Sequence, residues 1–213
     1  MFCKRLLYTL EFSGYKKLQA RMMRWQQFLR EFIQRPLAVG SLVPSSAHLA
    51  RAMVQNAGLA DADVVLEFGP GTGVFTEHIL RELKPGAKFA AIEINPQLAA
   101  VFKETHPGVR LFETSAENAG AVCDAMGVAA VDCVVSGLPW AFFPNALQVS
   151  ILDKLMLVLK PGGRFVTFGY LHSLVLPSTR QFAGLLPTYF TTVEKSPVVW
   201  LNFPPAFVYR CRR

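Results

Sequence analysis

The chain has 213 residues, of which 52% are hydrophobic and 17% charged, a composition that favours a well-packed globular domain and excludes a disordered protein. The net charge of +7 lies at the ends: residues 1–35 carry eight Lys or Arg against two acids, and three arginines fall in the last four positions. The middle of the chain is almost neutral, so the charge distribution predicts an anionic partner for the N-terminal part.

Residues 15–35 show the spacing of an amphipathic helix, which Pro36 ends. Apolar residues recur every three or four positions, and basic residues fill the other face. Two interpretations remain open: the helix binds an anionic membrane, or it packs on the domain with a solvated basic face. The predicted membrane contacts are Lys16, Lys17, Arg21, Arg24, Trp25, Phe28, Leu29 and Phe32.

No apolar run reaches the length of about 18 residues that a spanning helix needs. The N-terminus lacks the apolar core and cleavage site of a secretory signal. The four cysteines and four histidines are dispersed without metal-ligand spacing, so we expect reduced thiols and no metal site. These features predict a cytoplasmic protein, associated peripherally with the inner face of the cell membrane if its basic segment binds there.

From residue 64 onward, short β-branched runs alternate with amphipathic stretches. This alternation predicts an α/β fold, with a mostly parallel sheet covered by helices on both faces and an antiparallel C-terminal hairpin. The predicted strands are 64–68, 89–93, 109–112, 131–136, 164–169, 189–193, 198–201 and 206–211. The predicted helices between them are 74–83, 96–104, 116–126 and 145–159.

The first predicted strand runs into a glycine-rich turn, Glu67-Phe68-Gly69-Pro70-Gly71-Thr72-Gly73, followed by a helix. Glycines allow a tight turn and close approach of the backbone to a ligand, and a helix N-terminus offers free N–H groups. The G-x-G-x-x-G spacing of dinucleotide sites is absent, as is a Walker lysine. Glu93 ends the second strand, where a carboxylate can accept hydrogen bonds from the hydroxyl groups of a ribose. The pattern predicts a nucleoside cofactor without a pyrophosphate.

These residues resemble the class I methyltransferases over roughly 60–210, and the resemblance implies S-adenosylmethionine as cofactor and S-adenosylhomocysteine as its product. It assigns Glu67, Gly69, Gly71, Thr72 and Gly73 to the cofactor loop and Glu93, with Ile94, to the ribose. It assigns Ser115, Ala116 and Glu117 to the adenine end, although Glu117 is equally suited to the first turn of a helix. Ser136, at the end of strand four, is also expected at the cofactor.

Strand four ends in Ser136-Gly137-Leu138-Pro139-Trp140, which resembles the substrate motif of amino-group methyltransferases, in a form close to that of ribosomal RNA adenine dimethylases. Gly137, Leu138 and Trp140 are therefore predicted at the methyl-transfer site, with the Trp140 ring facing a cationic amine. Core packing is the alternative for Trp140. Gly137 replaces the usual asparagine, which favours an aliphatic amine over adenine.

The chain resembles most closely the soluble bacterial phospholipid N-methyltransferases, through the segment 36–46, the glycine turn, Gly137-Leu138-Pro139 and Phe168-Gly169-Tyr170. The resemblance implies three regions: a membrane-binding helix at 1–35, a cofactor-covering segment at 36–59 and the methyltransferase domain at 60–213. Ser41, Ser45 and Ser46 are expected near the cofactor; Ser45 or Ser46 also suits the N-cap of a helix at 47–56.

The predicted reaction is N-methylation of the amine headgroup of a membrane phospholipid, from phosphatidylethanolamine toward phosphatidylcholine. Tyr170 and His172 follow strand five and are candidates for contact with the amine or phosphate; His172 also suits proton transfer, and Arg180 suits the phosphate. The partners are an anionic membrane and its lipid, and nucleic acid is not expected. The alternatives are an ornithine-lipid N-methyltransferase, an rRNA adenine methyltransferase, and a membrane-associated protein that binds the cofactor without turnover.

Overall fold

The computed structural model describes residues 46–213. The predictions for Ser41, Ser45 and the membrane contacts from Lys16 to Phe32 lie outside the described residues. In this part of the chain the helices are α1 (Ala47–Val54), α2 (Val74–Glu82), α3 (Pro96–Thr105), α4 (Ala119–Met126), α5 (Asn145–Val158) and α6 (Pro177–Tyr189). The strands are β1 (Val64–Phe68), β2 (Lys88–Glu93), β3 (Arg110–Glu113), β4 (Val131–Ser136), β5 (Leu159–Tyr170), β6 (Thr192–Lys195) and β7 (Ala206–Arg212).

The seven strands form one sheet in the order β3-β2-β1-β4-β5-β7-β6. Strands β1 to β5 pair in parallel, and β7 runs antiparallel to both β5 and β6. The predicted α/β fold with an antiparallel C-terminal ending is therefore confirmed. In such a sheet, ligands bind beyond the carboxyl ends of the parallel strands, and the loops after β1, β2 and β4 meet at that edge.

The core lies on both faces of the sheet because both faces are covered. On one face, Leu49 and Met53 of α1 and Ile79 of α2 pack against Val65 and Val166 of the sheet. On the other face, Phe165, the neighbour of Val166, contacts the rings of Trp140 and Phe190, as expected when successive strand residues point to opposite faces.

Helix α1 belongs to the body of the domain, which therefore begins before residue 60. Leu49, Ala50 and Met53 are fully buried in the same core as the first strands. The predicted boundary at 59/60 falls after this helix. The sequence pattern alone did not show that the apolar face of α1 packs against the sheet.

Several predicted elements end elsewhere. The segment 116–126 divides into a 3-10 turn, Ala116–Asn118, and helix α4. The predicted strand 189–193 is shifted, because Tyr189 ends α6 and β6 begins at Thr192. The predicted strand 198–201 is a turn with one bridge, from Val199 to Ala206. Among residues 46–213 there is no helix long and apolar enough to cross a membrane.

Candidate cofactor and methyl-transfer site

The glycine turn after β1 opens toward the carboxyl edge of the sheet. Gly71 and Gly73 have φ angles of +58° and +90°, a left-handed conformation that disfavours residues with a Cβ. A Cβ at Gly71 would meet no atom within 4 Å, so open space lies in front of this residue. Gly73 is the N-cap of α2 and offers no side-chain cap, which leaves the first N–H groups of the helix for a ligand.

Glu93 lies directly beside the glycine turn, as predicted from the strand order. Its Oε2 accepts a hydrogen bond from the N–H of Gly71 at 3.3 Å, and its Oε1 accepts one from Asn95 at 2.8 Å. Burial raises the pKa of Glu93, while the N–H groups of Asn95 and Gly71 oppose the rise. The carboxylate is thus held at the edge of the turn, where it can accept hydrogen bonds from a ribose.

Glu67 is a buried acid of β1 beneath the turn. The Thr76 hydroxyl donates to its Oε2 at 2.6 Å, whereas Oε1 is buried without a hydrogen-bond partner in the described part of the chain. Burial raises the pKa of Glu67 to about 8; the Thr76 bond opposes the rise and the charge of Glu93 adds to it. The unpaired oxygen lies buried beneath the loop, and the predicted contact of Glu67 with the cofactor stays a prediction.

The turn after β4 packs directly on the glycine turn. A Cβ at Gly137 would overlap the carbonyl oxygen of Gly69, and a Cβ at Gly69 would lie 2.8 Å from Cδ2 of Leu138. The Gly137 N–H also donates to the Phe68 carbonyl at 2.8 Å. The backbone at Gly137 therefore has no room for the asparagine found in related motifs.

Trp140 does not face the site, and the predicted substrate role of its ring is wrong. The side chain is 2% exposed, its ring stacks on Phe182 of α6 at 4.4 Å, and its Nε1–H donates to Thr167 at 3.0 Å. Core packing, the alternative interpretation, holds because α6 covers the ring.

Ser136 is likewise buried, with its side chain fully inaccessible. Its hydroxyl oxygen accepts hydrogen bonds from the Leu138 N–H and the Trp140 Nε1–H, each at 3.3 Å. The hydroxyl therefore stabilises the turn after β4, and the predicted contact of Ser136 with the cofactor stays a prediction.

Ser115 and Glu117 follow β3 at the same edge. Ser115 Oγ donates to Glu117 Oε2 at 3.1 Å, and Ser150 Oγ of α5 donates to Glu117 Oε1 at 2.5 Å. Ser115 is also the N-cap of the Ala116–Asn118 turn, and Ala116 is buried. Glu117 thus bridges this turn to α5, and its role toward an adenine stays a prediction.

Tyr170 and His172 lie together where β5 ends, with their rings stacked at 5.5 Å. Tyr170 is half-buried, and burial raises its pKa. His172 and Arg180 are exposed, and the Arg180 Nε–H donates to the Leu174 carbonyl at 3.3 Å. Ile94 and Thr72 present exposed surface next to the glycine turn. The predicted contacts of these residues with cofactor or lipid stay predictions.

One further residue, His106, borders the glycine turn and was not predicted. The imidazole of His106, the residue after α3, occupies the space that a Cβ at Gly73 would take. The ring also stacks on Phe102 at 4.8 Å. Asn202 accepts a hydrogen bond from the Ser46 N–H at 2.9 Å. Ser46 itself is the N-cap of α1, one of the two roles considered for it.

Comparison with known proteins identifies the family. Residues 65–163 match the model of a methyltransferase domain. The chain is 30% identical over 188 residues to the ornithine lipid N-methyltransferase of Singulisphaera acidiphila, an alignment that covers 87% of this chain and 94% of that protein. The chain belongs to the class I S-adenosylmethionine-dependent methyltransferases.

Two other similarities define how far this assignment reaches. The ribosomal RNA small subunit methyltransferase A of Thermotoga petrophila is 28% identical to this methyltransferase over 164 residues, covering 72% of this chain and 61% of that protein. The O-methyltransferase TomG of Streptomyces achromogenes, solved in complex with S-adenosylmethionine, superposes with a TM-score of 0.61 at 17% identity, covering 85% of this chain and 86% of that one. The second likeness concerns the fold.

The cofactor of this methyltransferase is S-adenosylmethionine, and the geometry fits it. The open space at Gly71, the uncapped N-terminus of α2 and the carboxylate of Glu93 are suited to hold its adenosine and methionine parts. When bound, the cofactor supplies an electrophilic methyl group on a sulfonium. The protein supplies the position and the surroundings of the acceptor.

Proposed function

We propose that this methyltransferase N-methylates the primary amine of a membrane aminolipid. The observation that carries the proposal is the alignment with an ornithine lipid N-methyltransferase over nearly the full length of both proteins. Phosphatidylethanolamine and ornithine lipid both present a primary amine at a membrane surface, so both are candidates for the acceptor.

The two packed turns support an amine acceptor. Gly137 abuts Gly69 through the backbone alone, so an acceptor at the turn after β4 lies next to the cofactor loop. Backbone carbonyls in this turn can accept the N–H bonds of an amine and direct its lone pair at the methyl carbon. The bound cofactor would supply the methyl group as its carbon–sulfur bond breaks, the amine held by this turn would take it up, and the methylated ammonium would then release a proton to water. Positioning of this kind supplies about 7–11 kcal/mol toward the barrier.

The surroundings of the acceptor favour the neutral amine that the reaction requires. Phe168, Tyr170 and His172 form a row of rings at the end of β5, and Phe75 contacts Phe168 edge-on at 5.7 Å. An amine beside these rings loses part of its hydration, which lowers its pKa because burial disfavours the charged form. The aromatic faces then stabilise the methylated cation.

The proposed location is the inner face of the cell membrane, with the basic residues of 1–35 attracting anionic lipid. Each basic side chain near such a surface contributes roughly 1 kcal/mol. The enzyme then meets its substrate by staying on the surface.

Transfer of labelled methyl groups tests the proposal. The full chain is incubated with radiolabelled S-adenosylmethionine and vesicles that contain phosphatidylethanolamine or ornithine lipid, and in parallel with ribosomal RNA. We expect label in a lipid fraction, with chromatography identifying which lipid carries it. Label in RNA alone would contradict the proposal. A protein that still binds the cofactor but labels no acceptor would also contradict it.

A further inference from the structure

The loop between β6 and β7 presents large apolar side chains to solvent. Residues 196–205, Ser-Pro-Val-Val-Trp-Leu-Asn-Phe-Pro-Pro, include no charged residue. Trp200, Leu201 and Phe203 are 69%, 71% and 76% exposed. We call these three residues the apolar tip. Clustered exposure of this kind is uncommon on a soluble protein and marks a surface that meets an apolar partner.

The loop is held in place by hydrogen bonds around one buried residue. Asn202 is 2% exposed; its N–H donates to the Val199 carbonyl at 3.2 Å, and its Nδ2–H donates to the Pro204 carbonyl at 2.7 Å. The Val199 N–H donates to the Ala206 carbonyl at 2.7 Å. Because the polar residue points inward, the side chains on both sides of it are directed outward in a fixed arrangement.

The apolar tip lies on the edge of the sheet that carries the methyl-transfer site. Tyr170, at the carboxyl end of β5, pairs with Ala206 at the start of β7. The Leu171 N–H donates to the Pro205 carbonyl at 2.8 Å. The loop is therefore attached to the segment that follows Tyr170, which itself carries an exposed apolar residue, Val175, at 72% exposure.

The tip also adjoins Ser46, the first residue that the structure describes. The Ser46 N–H donates to Oδ1 of Asn202 at 2.9 Å. The 35 N-terminal residues that hold eight of the basic side chains precede Ser46 by a short stretch of sequence. The charge of these residues points to an anionic membrane as the apolar partner that the exposed Trp, Leu and Phe would meet.

We propose that the apolar tip inserts into the lipid bilayer and sets the methyl-transfer edge of the sheet against the membrane surface. The proposal deepens the proposed function and rests on it. Aromatic residues with an apolar body settle at the boundary between headgroups and acyl chains, and an apolar face enters this region to a depth of about 5–10 Å. A lipid amine then needs to rise only a short distance to reach the turn after β4.

Tryptophan fluorescence tests insertion directly. The chain has three tryptophans, of which Trp140 is buried. In the full chain with Trp25→Phe, the solvent-exposed reporter is Trp200. We expect its emission to shift to the blue on addition of phosphatidylglycerol–phosphatidylcholine vesicles, and lipids brominated near the headgroup end of the acyl chain to quench it. The same chain with Trp200→Phe as well reports the background from Trp140.

A matched pair of leucines separates insertion from general hydrophobicity. Leu201→Ser in the apolar tip should weaken vesicle binding about tenfold, because one inserted leucine is lost. Leu157→Ser, at an α5 position that is 74% exposed, should leave binding unchanged. Cofactor affinity should be the same in both variants, since neither side chain lies at the glycine turn.

Two results would overturn the insertion proposal without touching the proposed function. One is lipid methylation by a protein whose Trp200 emission wavelength does not change when vesicles are added. The other is Trp200 emission that is already blue-shifted without vesicles, which would mean that another part of the chain or a second copy covers the tip. Conversely, quenching of Trp200 without methylation of any lipid would support insertion and contradict the proposed reaction.

Discussion

At the scale of single residues, Glu93 joins the cofactor loop to the second strand. Its carboxylate accepts the N–H groups of Gly71 and Asn95, and it is the acid best placed for ribose hydroxyls. Glu93→Ala should raise the dissociation constant for S-adenosylhomocysteine at least about tenfold, because charged hydrogen bonds of this kind are worth about 1.5–3 kcal/mol. Isothermal titration calorimetry measures this. Glu104→Ala, at an exposed acid of α3, is the control, and equal affinities in the two variants would remove the ribose assignment.

The buried Glu67 makes the stability of the fold depend on pH. Burial raises its pKa from 4.5 to about 8, so between these values the folded state binds a proton that the unfolded state has lost. The free energy of unfolding therefore falls by at most about 1.4 kcal/mol per pH unit as the pH rises through this window. Above the window it levels off. Glu67→Gln should flatten this dependence, as measured by urea unfolding of the cofactor-free protein at several pH values. Parallel profiles for the variant and the wild type would contradict the shift.

Gly137 tests the contact between the two turns. Gly137→Asn restores the residue that resembling motifs carry, but its Cβ would overlap the Gly69 carbonyl oxygen. We expect at least a tenfold loss of methyl transfer and a loss of about 1–3 kcal/mol of stability. Gly120→Ala is the control, because that helical glycine has open space around it and alanine there raises stability by up to about 1 kcal/mol. Higher activity in Gly137→Asn would show that the turns separate.

The sequence predicted the meeting of Gly71 and Glu93 because both follow strands of a parallel sheet, whose carboxyl ends share one edge. It left the burial of Trp140 open between two interpretations and did not predict that of Ser136. An aromatic residue after a strand has the same sequence pattern whether it faces a substrate or the core. Trp140 faces the core because a helix that was not predicted covers its ring.

At the scale of elements, that helix is α6. Proline at its start and a second proline, Pro187, inside it weaken the helical signal, although Pro suits the first position of a helix. Packing overrides the local sequence here, since Phe182 and Leu186 of α6 are buried. The predicted strand 198–201 failed for the opposite reason: Trp200 and Leu201 are exposed to solvent, and a β-branched run alone does not distinguish a strand from an exposed loop.

Trp140 holds α6 to the turn after β4, so its loss should act on stability. Trp140→Phe keeps a ring against Phe182 but leaves Thr167 and Ser136 without the Nε1–H donor. We expect the free energy of unfolding, followed by circular dichroism in urea, to fall by about 1–3 kcal/mol, with the KM for the acceptor unchanged. A raised KM at unchanged stability would instead restore the substrate role.

At the scale of the whole molecule, we assign cofactor binding to the described domain and attraction to an anionic surface to the N-terminal charge. The α/β sheet brings the glycine turn, Glu93 and the turn after β4 to one edge, as the strand–helix alternation predicted. The position of the apolar tip at that edge was not predictable from sequence. It depends on the inward-pointing Asn202, which accepts a hydrogen bond from Ser46, 156 positions away.

The lipids of bacterial cells that express the full chain provide the most direct test of the proposed reaction. Mass spectrometry should detect phosphatidylethanolamine or ornithine lipid that is heavier by one or more methyl groups, absent from cells that express the Glu93→Ala variant at the same level. Identical lipid profiles in the two cultures, from a wild-type protein that is folded and binds S-adenosylhomocysteine, would contradict a membrane aminolipid as the methyl acceptor.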